Sequence, residues 1–160
     1  MSNLKKQLEK LDITKLKLKN SKELGKELKH HAEVLADCIM YELDKVYDSY
    51  EPTAYVRTFD LYDSLFIGNL RLDISTGGAN LAISLSFDEG AIHKSLDGKD
   101  VNVAVLLNKG WKTNSAFQDV PYFGYREPTY FIQEGICRYK KMVSNPFPVR
   151  LTINNEETVF

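Results

Sequence analysis

From Leu24 to Val46 one set of residues recurs in steps of three and four: Leu24, Leu28, His31, Leu35, Ile39, Leu43 and Val46. An α-helix brings residues at that spacing onto one face. The spacing predicts a helix over 22–48, about 40 Å long at 1.5 Å per residue. Its apolar stripe is narrow, as expected of a helix packed on one side only. Ser21 has the chemistry of its N-cap, and Gly25 weakens its first turn. Leu4, Leu8 and Leu11 share helical spacing and suggest a separate short helix, with residues 12–20 interrupting. Pro52 ends the helical region, because proline lacks an amide donor and disfavours αR in the residue before it.

A change of period follows. Leu70, Leu72 and Ile74 alternate with polar residues, as do Leu81, Ile83, Leu85 and Phe87. The intervening Ser75-Thr76-Gly77-Gly78-Ala79-Asn80 is rich in turn formers, so 70–87 is predicted to be an antiparallel hairpin turning at Gly77-Gly78. Asp60–Phe66 suits a short helix or turn. Residues 88–102 and 112–129 have loop character, and Val101–Asn108 suits either helix or strand. Tyr130–Met142 is a second helix, with Phe131, Ile132, Ile136, Tyr139 and Val143 on one side. Val149, Leu151 and Ile153 alternate as a last strand. The expected class is α+β: a long N-terminal helix packed on a small antiparallel β-sheet, with a second, C-terminal helix. Residues 1–20 form a basic arm or short helix, and 21–160 a single domain.

A 43% hydrophobic and 27% charged chain of 160 residues has enough apolar material for a core and is not a disordered composition. Its net charge of −1 excludes a polycation built to coat nucleic acid. The charge is uneven: residues 1–29 carry nine lysines against four acids, a net +5, which leaves −6 on the rest. Such an arm could meet an acidic partner, a second subunit or nucleic acid, or could simply be a solvated helix surface. Two cysteines, Cys38 and Cys137, make no CxxC pair and no disulfide framework; Cys38 falls in the apolar helical pattern as a core thiol. No signal-peptide run opens the chain, and no stretch approaches the roughly 20 apolar residues of a membrane span. The expectation is a soluble protein made in a reducing cytoplasm.

Candidate chemistry is sparse. His30 and His31 point about 100° apart on a helix and cannot readily chelate one ion; one should face solvent and the other the helix seam. His93 stands apart from both. Asp60, Asp63, Asp88, Glu89, Asp97 and Asp100 are loop or turn acids without an accompanying histidine or lysine motif, and no calcium-loop pattern is present. Gly77-Gly78 joins two strands rather than a strand and a helix, which suits a hairpin turn better than a phosphate loop. The pairs Tyr125-Arg126 and Arg138-Tyr139 could stack on bases, but such residues are also core and interface anchors. No catalytic residue, metal ligand or cofactor is expected.

One stretch is more specific. Tyr50-Glu51-Pro52-Thr53-Ala54-Tyr55-Val56-Arg57-Thr58-Phe59-Asp60-Leu61-Tyr62-Asp63-Ser64-Leu65 resembles a recurrent pattern in the tail-completion, or head–tail joining, family of tailed bacteriophages. In that family a long helix precedes a loop of the form Arg-Thr-Gly-x-Leu-x-x-Ser-hydrophobic, then a hairpin, then a segment like Ala-x-x-Leu-Asn-x-Gly-aromatic, and finally an aromatic or Pro-containing lead into a last helix. The matching pieces here are Arg57-Thr58, Leu61, Ser64-Leu65, then Val105-Leu106-Leu107-Asn108-Lys109-Gly110-Trp111, then Pro128-Thr129-Tyr130-Phe131-Ile132. They stand in the family's order over roughly residues 22–142. The pattern departs at Phe59, where the family has Gly.

The resemblance implies a non-catalytic virion subunit. It would be made in the bacterial cytoplasm and built into a six- or twelve-fold ring between head connector and tail, around the DNA channel. Its partners would be copies of itself, other neck, portal-adaptor or tail-tube proteins, and non-specific DNA, but no membrane. The motif and interface residues so implied are Pro52, Tyr55, Arg57, Thr58, Leu61, Ser64, Gly110 and Trp111. Thr58 is expected to cap the following turn, and Arg57 to reach a carboxylate or carbonyl on the long helix or on a neighbour. Two other classes stay open: a cytoplasmic nucleic-acid-binding module that uses the basic arm, and a small hydrolase or nuclease built on the scattered acids.

Overall fold

The computed structural model describes residues 13–49, 60–75, 78–88, 91–94, 98–112, 125–153 and 156–160. Helix α1 runs Ile13–Asp48. It therefore starts before Ser21, and residues 13–20 do not interrupt it. Leu16-Lys17-Leu18-Lys19 has a period of two, but leucine and lysine are both good helix formers. Extending a helix already nucleated adds one hydrogen bond per residue fixed. The buried face consists of Ala32, Leu35, Cys38, Ile39 and Leu43, while Lys22, Lys26 and Lys29 are exposed. Leu28, expected in the core, is only half-buried. Gly25 lies within the helix, and a β-carbon there would come within 2.8 Å of Leu70 Cδ2.

The second long helix packs on the first. Helix α4, Phe131–Met142, buries Phe131, Ile132, Gly135, Ile136 and Tyr139 against α1. The two backbones approach closely at Gly135, where an added β-carbon would meet Ile39 Cα at 2.7 Å. A side chain there would hold the two backbones apart and open the interface beneath it.

Between these helices the chain forms short antiparallel pairs. Helix α2, Asp60–Asp63, is a single turn, and strand β1, Leu65–Ile67, follows it directly. Strands β2, Arg71–Ser75, and β3, Gly78–Ala82, pair with Ser75 opposite Gly78; Gly77, half of the expected turn, lies outside the described residues. Strand β4, Leu85–Phe87, pairs with β1 rather than β2, placing Leu65 opposite Phe87. The two pairs form one hairpin with a register step. The Gly68 amide donates to the Ser84 carbonyl at 2.7 Å, and the next pair is Arg71 with Ala82. Asn69 and Leu70 thus oppose the single residue Ile83, the two-against-one count of a β-bulge.

Residues 88–102 are not all loop: β5, Ile92–Lys94, pairs with β6, Asp100–Asn102. Helix α3, Val103–Lys109, starts where Asn102 Oδ1 accepts the Val105 amide at 3.1 Å. Strands β7, Trp111–Lys112, and β8, Tyr125–Arg126, form a two-residue pair. Strand β9, Arg150–Ile153, is the predicted last strand, but it pairs with a further strand, β10, Glu156–Val159. All four residues of β10 are exposed, so no apolar alternation marked it. The architecture is α+β: a long N-terminal helix and a second helix packed together, with small antiparallel strand pairs laid along them.

Candidate functional site

Residues that stand apart in the sequence motif come together in a clasp. Helix α3 ends at Gly110, which takes φ +71°, a conformation glycine reaches without steric cost. A β-carbon there would lie 2.5 Å from the Arg126 carbonyl oxygen and 2.7 Å from the Pro128 nitrogen. The segment before α4 therefore crosses directly over this glycine. There, the Thr129 hydroxyl and amide both donate to the Leu107 carbonyl, at 2.8 and 3.3 Å. The Tyr130 amide donates to the Asn108 carbonyl at 3.1 Å.

The side chain of Asn108 completes the joint. It is fully buried, and its Oδ1 accepts the Ile132 amide at 3.1 Å. The N-cap position of α4 is Tyr130, held at φ 51° with no side-chain cap of its own. Asn108 supplies the missing acceptor from another helix, satisfying one of the orphan donors at the start of α4. Its Nδ2 has no hydrogen-bond partner among the described residues. Beside the clasp the Arg126 guanidinium lies 5.6 Å from the centroid of the Trp111 ring.

The other motif residues divide by position. Leu61 is buried in the core, and buried Ser64 donates its hydroxyl to the Leu61 carbonyl at 2.7 Å, closing the turn of α2. The Ser64 carbonyl accepts the Asp88 amide at 2.8 Å, tying that turn to the end of β4. Pro52, Tyr55, Arg57 and Thr58 lie outside the described residues, as do the proposed Thr58 cap and Arg57 contact. Glu89 and Asp97 also fall outside them, and Asp60, Asp63, Asp88 and Asp100 are exposed. No group of three or more His, Cys, Asp or Glu side chains among the described residues is placed to hold a metal ion.

His30 is exposed and His31 faces the seam between the helices. His31 Nδ1 lies 2.7 Å from the Tyr139 hydroxyl, which also accepts the Phe147 amide at 3.0 Å. A phenol oxygen can both donate and accept, so the direction of the His31–Tyr139 bond follows the imidazole tautomer. Burial pushes the Tyr139 hydroxyl above its ordinary pKa, against the lowering effect of the Phe147 amide. Burial likewise raises the Cys38 thiol, with Asp37 and Glu42 adding to it and Arg138 opposing. Cys38 is the core thiol its position in the helix implied. Of the Arg–Tyr pairs, Tyr139 is core, while Arg138 stacks over Tyr41 at 3.8 Å on the surface.

Next to this pin lies a groove of about 530 Å³. Its floor is apolar, formed by Leu35, Ile39, Ile132 and Ile136, and the half-buried Leu28 opens onto it. Ile83–Phe87 and Phe147–Ile153 also line it. Nothing in the sequence marked this groove, because the same apolar alternation describes a strand covered on one edge or on both. No helix of the described residues is long and apolar enough to cross a membrane. No protein-family model, curated protein or solved structure matches the chain.

Proposed function

We infer that this chain is a structural subunit of a tailed-bacteriophage virion, a ring-forming neck or tail-completion component that joins head and tail around the DNA channel. The observation that supports this most is the role of the motif residues. Leu61, Ser64, Asn108, Gly110 and Thr129 set backbone geometry: they close a turn, cap a helix from a distance and let one segment cross another. A motif of that kind specifies a shape that must fit neighbours, rather than a reaction. Among the described residues the short strand pairs leave edges on which a neighbour can add, and repeated heterologous contacts close into a ring when the rotation suits. The test is the native mass and symmetry of the purified full-length chain. A closed ring of six or twelve copies is the expected result, and a monomer at every concentration contradicts it.

A second reading rests on α1. Lys22, Lys26 and Lys29 follow helical spacing and are exposed, a short basic stripe able to contact phosphates. If the chain is a nucleic-acid module, the isolated protein binds duplex DNA with an affinity that falls steeply with salt. Charge reversal at these three lysines then removes the binding. Unchanged binding after reversal rejects this reading.

A further inference from the structure

Two sulfur atoms meet across the seam between α1 and α4. The Cys38 thiol donates to the Met142 thioether, with 3.8 Å between Sγ and Sδ. The two side chains differ sharply in access. Cys38 is 3% exposed and packed in the core. Met142, the last residue of α4, is 62% exposed. One end of the contact therefore lies in the core and the other opens to solvent.

An oxidant meets these two sulfurs unequally. A thiol reacts as its thiolate, and burial raises the Cys38 thiol above its ordinary pKa, against the lowering effect of Arg138. Cys38 thus stays protonated and covered. A thioether needs no deprotonation to take up oxygen, so Met142 is the sulfur of the pair that a peroxide can use. Met40 is less open, half-buried and packed against the core.

The hydrogen bond adds a second distinction. A thioether sulfur carries two lone pairs, and oxygen on one or the other gives one of two sulfoxide epimers. In Met142 the pairs are not equivalent: one accepts the Cys38 S–H, and the other is left for solvent.

We propose that Met142 is a site of stereoselective oxidation, in which the Cys38 thiol blocks one lone pair of the Met142 sulfur and a peroxide delivers oxygen to the other. With hydrogen peroxide, the open lone pair attacks one peroxide oxygen, and the O–O bond breaks as the S–O bond forms. Sulfur is oxidised by two electrons. The proton on the transferred oxygen passes to the departing hydroxide, which leaves as water. The product is mainly one epimer, and methionine sulfoxide reductases act on one epimer each. One class of reductase then reverses the modification, so the seam carries a two-state mark.

The experiment treats the full-length folded chain with dilute hydrogen peroxide and maps the added oxygen by mass after digestion. Met142 is expected to be oxidised before Met40, with Cys38 still reduced. Separate portions of the Met142 peptide are then given one or the other epimer-specific reductase. One enzyme is expected to restore about threefold or more peptide than the other, a ratio equivalent to a barrier difference of about 0.65 kcal/mol. Chain unfolded in urea before oxidation, and a folded Cys38→Ala variant, are both expected to give an even mixture. Met142→Leu supplies a measurement that does not depend on the Cys38 variant folding. Loss of the acceptor at this exposed position should move the Cys38 S–H stretching band in the infrared to higher frequency. An even mixture from the folded wild-type chain overturns the proposal, as does an excess that survives in Cys38→Ala. Earlier oxidation of Met40 or Cys38, or an S–H band unmoved in Met142→Leu, also overturns it.

Discussion

Asn108 and Ile132 lie in different helices, 24 residues apart, and are joined by a 3.1 Å hydrogen bond from the Ile132 amide to the Asn108 side-chain oxygen. Through it the end of α3 fixes the start of α4, and α4 in turn covers the buried face of α1. The clasp thus connects the motif to the core.

Replacing Asn108 with Ala should therefore destabilise the fold out of proportion to its size. The Ile132 amide would be left buried without an acceptor, a loss of about 1–3 kcal/mol. Urea unfolding should show a lower midpoint with an unchanged slope. An unchanged midpoint would mean that α4 does not depend on this cap.

Gly135→Ala should cost more than Gly25→Ala. At Gly135 the added carbon meets the Ile39 backbone, which cannot give way, whereas at Gly25 it meets the end of the Leu70 side chain. Overpacking of the first kind costs about 1–3 kcal/mol. At Gly25 the gain in helix propensity, about 1 kcal/mol, offsets a small side-chain shift. Thermal unfolding of the two variants side by side gives the order.

Leu35→Asp should prevent folding, while Lys26→Ala should leave stability within about 0.5 kcal/mol. Leu35 is packed in the core and Lys26 is exposed. An unpaired carboxylate buried there has no compensating contact. Circular dichroism of both variants checks the phase of α1.

Stability should fall on the alkaline side. Cys38 and Tyr139 both have raised pKa values in the folded protein. Between the unfolded and folded values the native state holds more protons, so stability decreases as pH rises. The contribution is complete below the unfolded values, about 8.5 for a thiol and 10 for a phenol, and is lost as pH climbs through the folded ones. Denaturation from pH 7 to 11 should show this decline, and Cys38→Val should remove its thiol part. A flat profile in the wild type contradicts the assignment.

The long helix, the 70–87 hairpin, the second helix and the seam position of His31 were legible because each expresses a simple period on one face. What the sequence hid has identifiable causes. The start of α1 was obscured by alternating Leu-Lys residues whose helix propensity outweighs their period. Strand β10 has no apolar face, and β5 is three residues long, too short to show alternation. Asn108 sits in an apolar run like any helix-end asparagine, and its cap depends on a helix 24 residues away that local chemistry does not announce. Gly135 carried a faint signal: it is the one small residue in the Phe131, Ile132, Gly135, Ile136, Tyr139 stripe, which marks a close helix approach. The β1–β4 pairing was missed because a bulge at Asn69-Leu70 carries the hairpin past the point where alternation stops.

We propose above that this chain is a structural part of a virion. On that proposed reading the same genome encodes tailed particles, which can be purified and their proteins identified by mass, with antibody labelling to locate this chain. The account predicts that it is present in every particle in a fixed ratio to the connector, with label at the head–tail junction. Particles that are complete, infectious and lack the chain would contradict it.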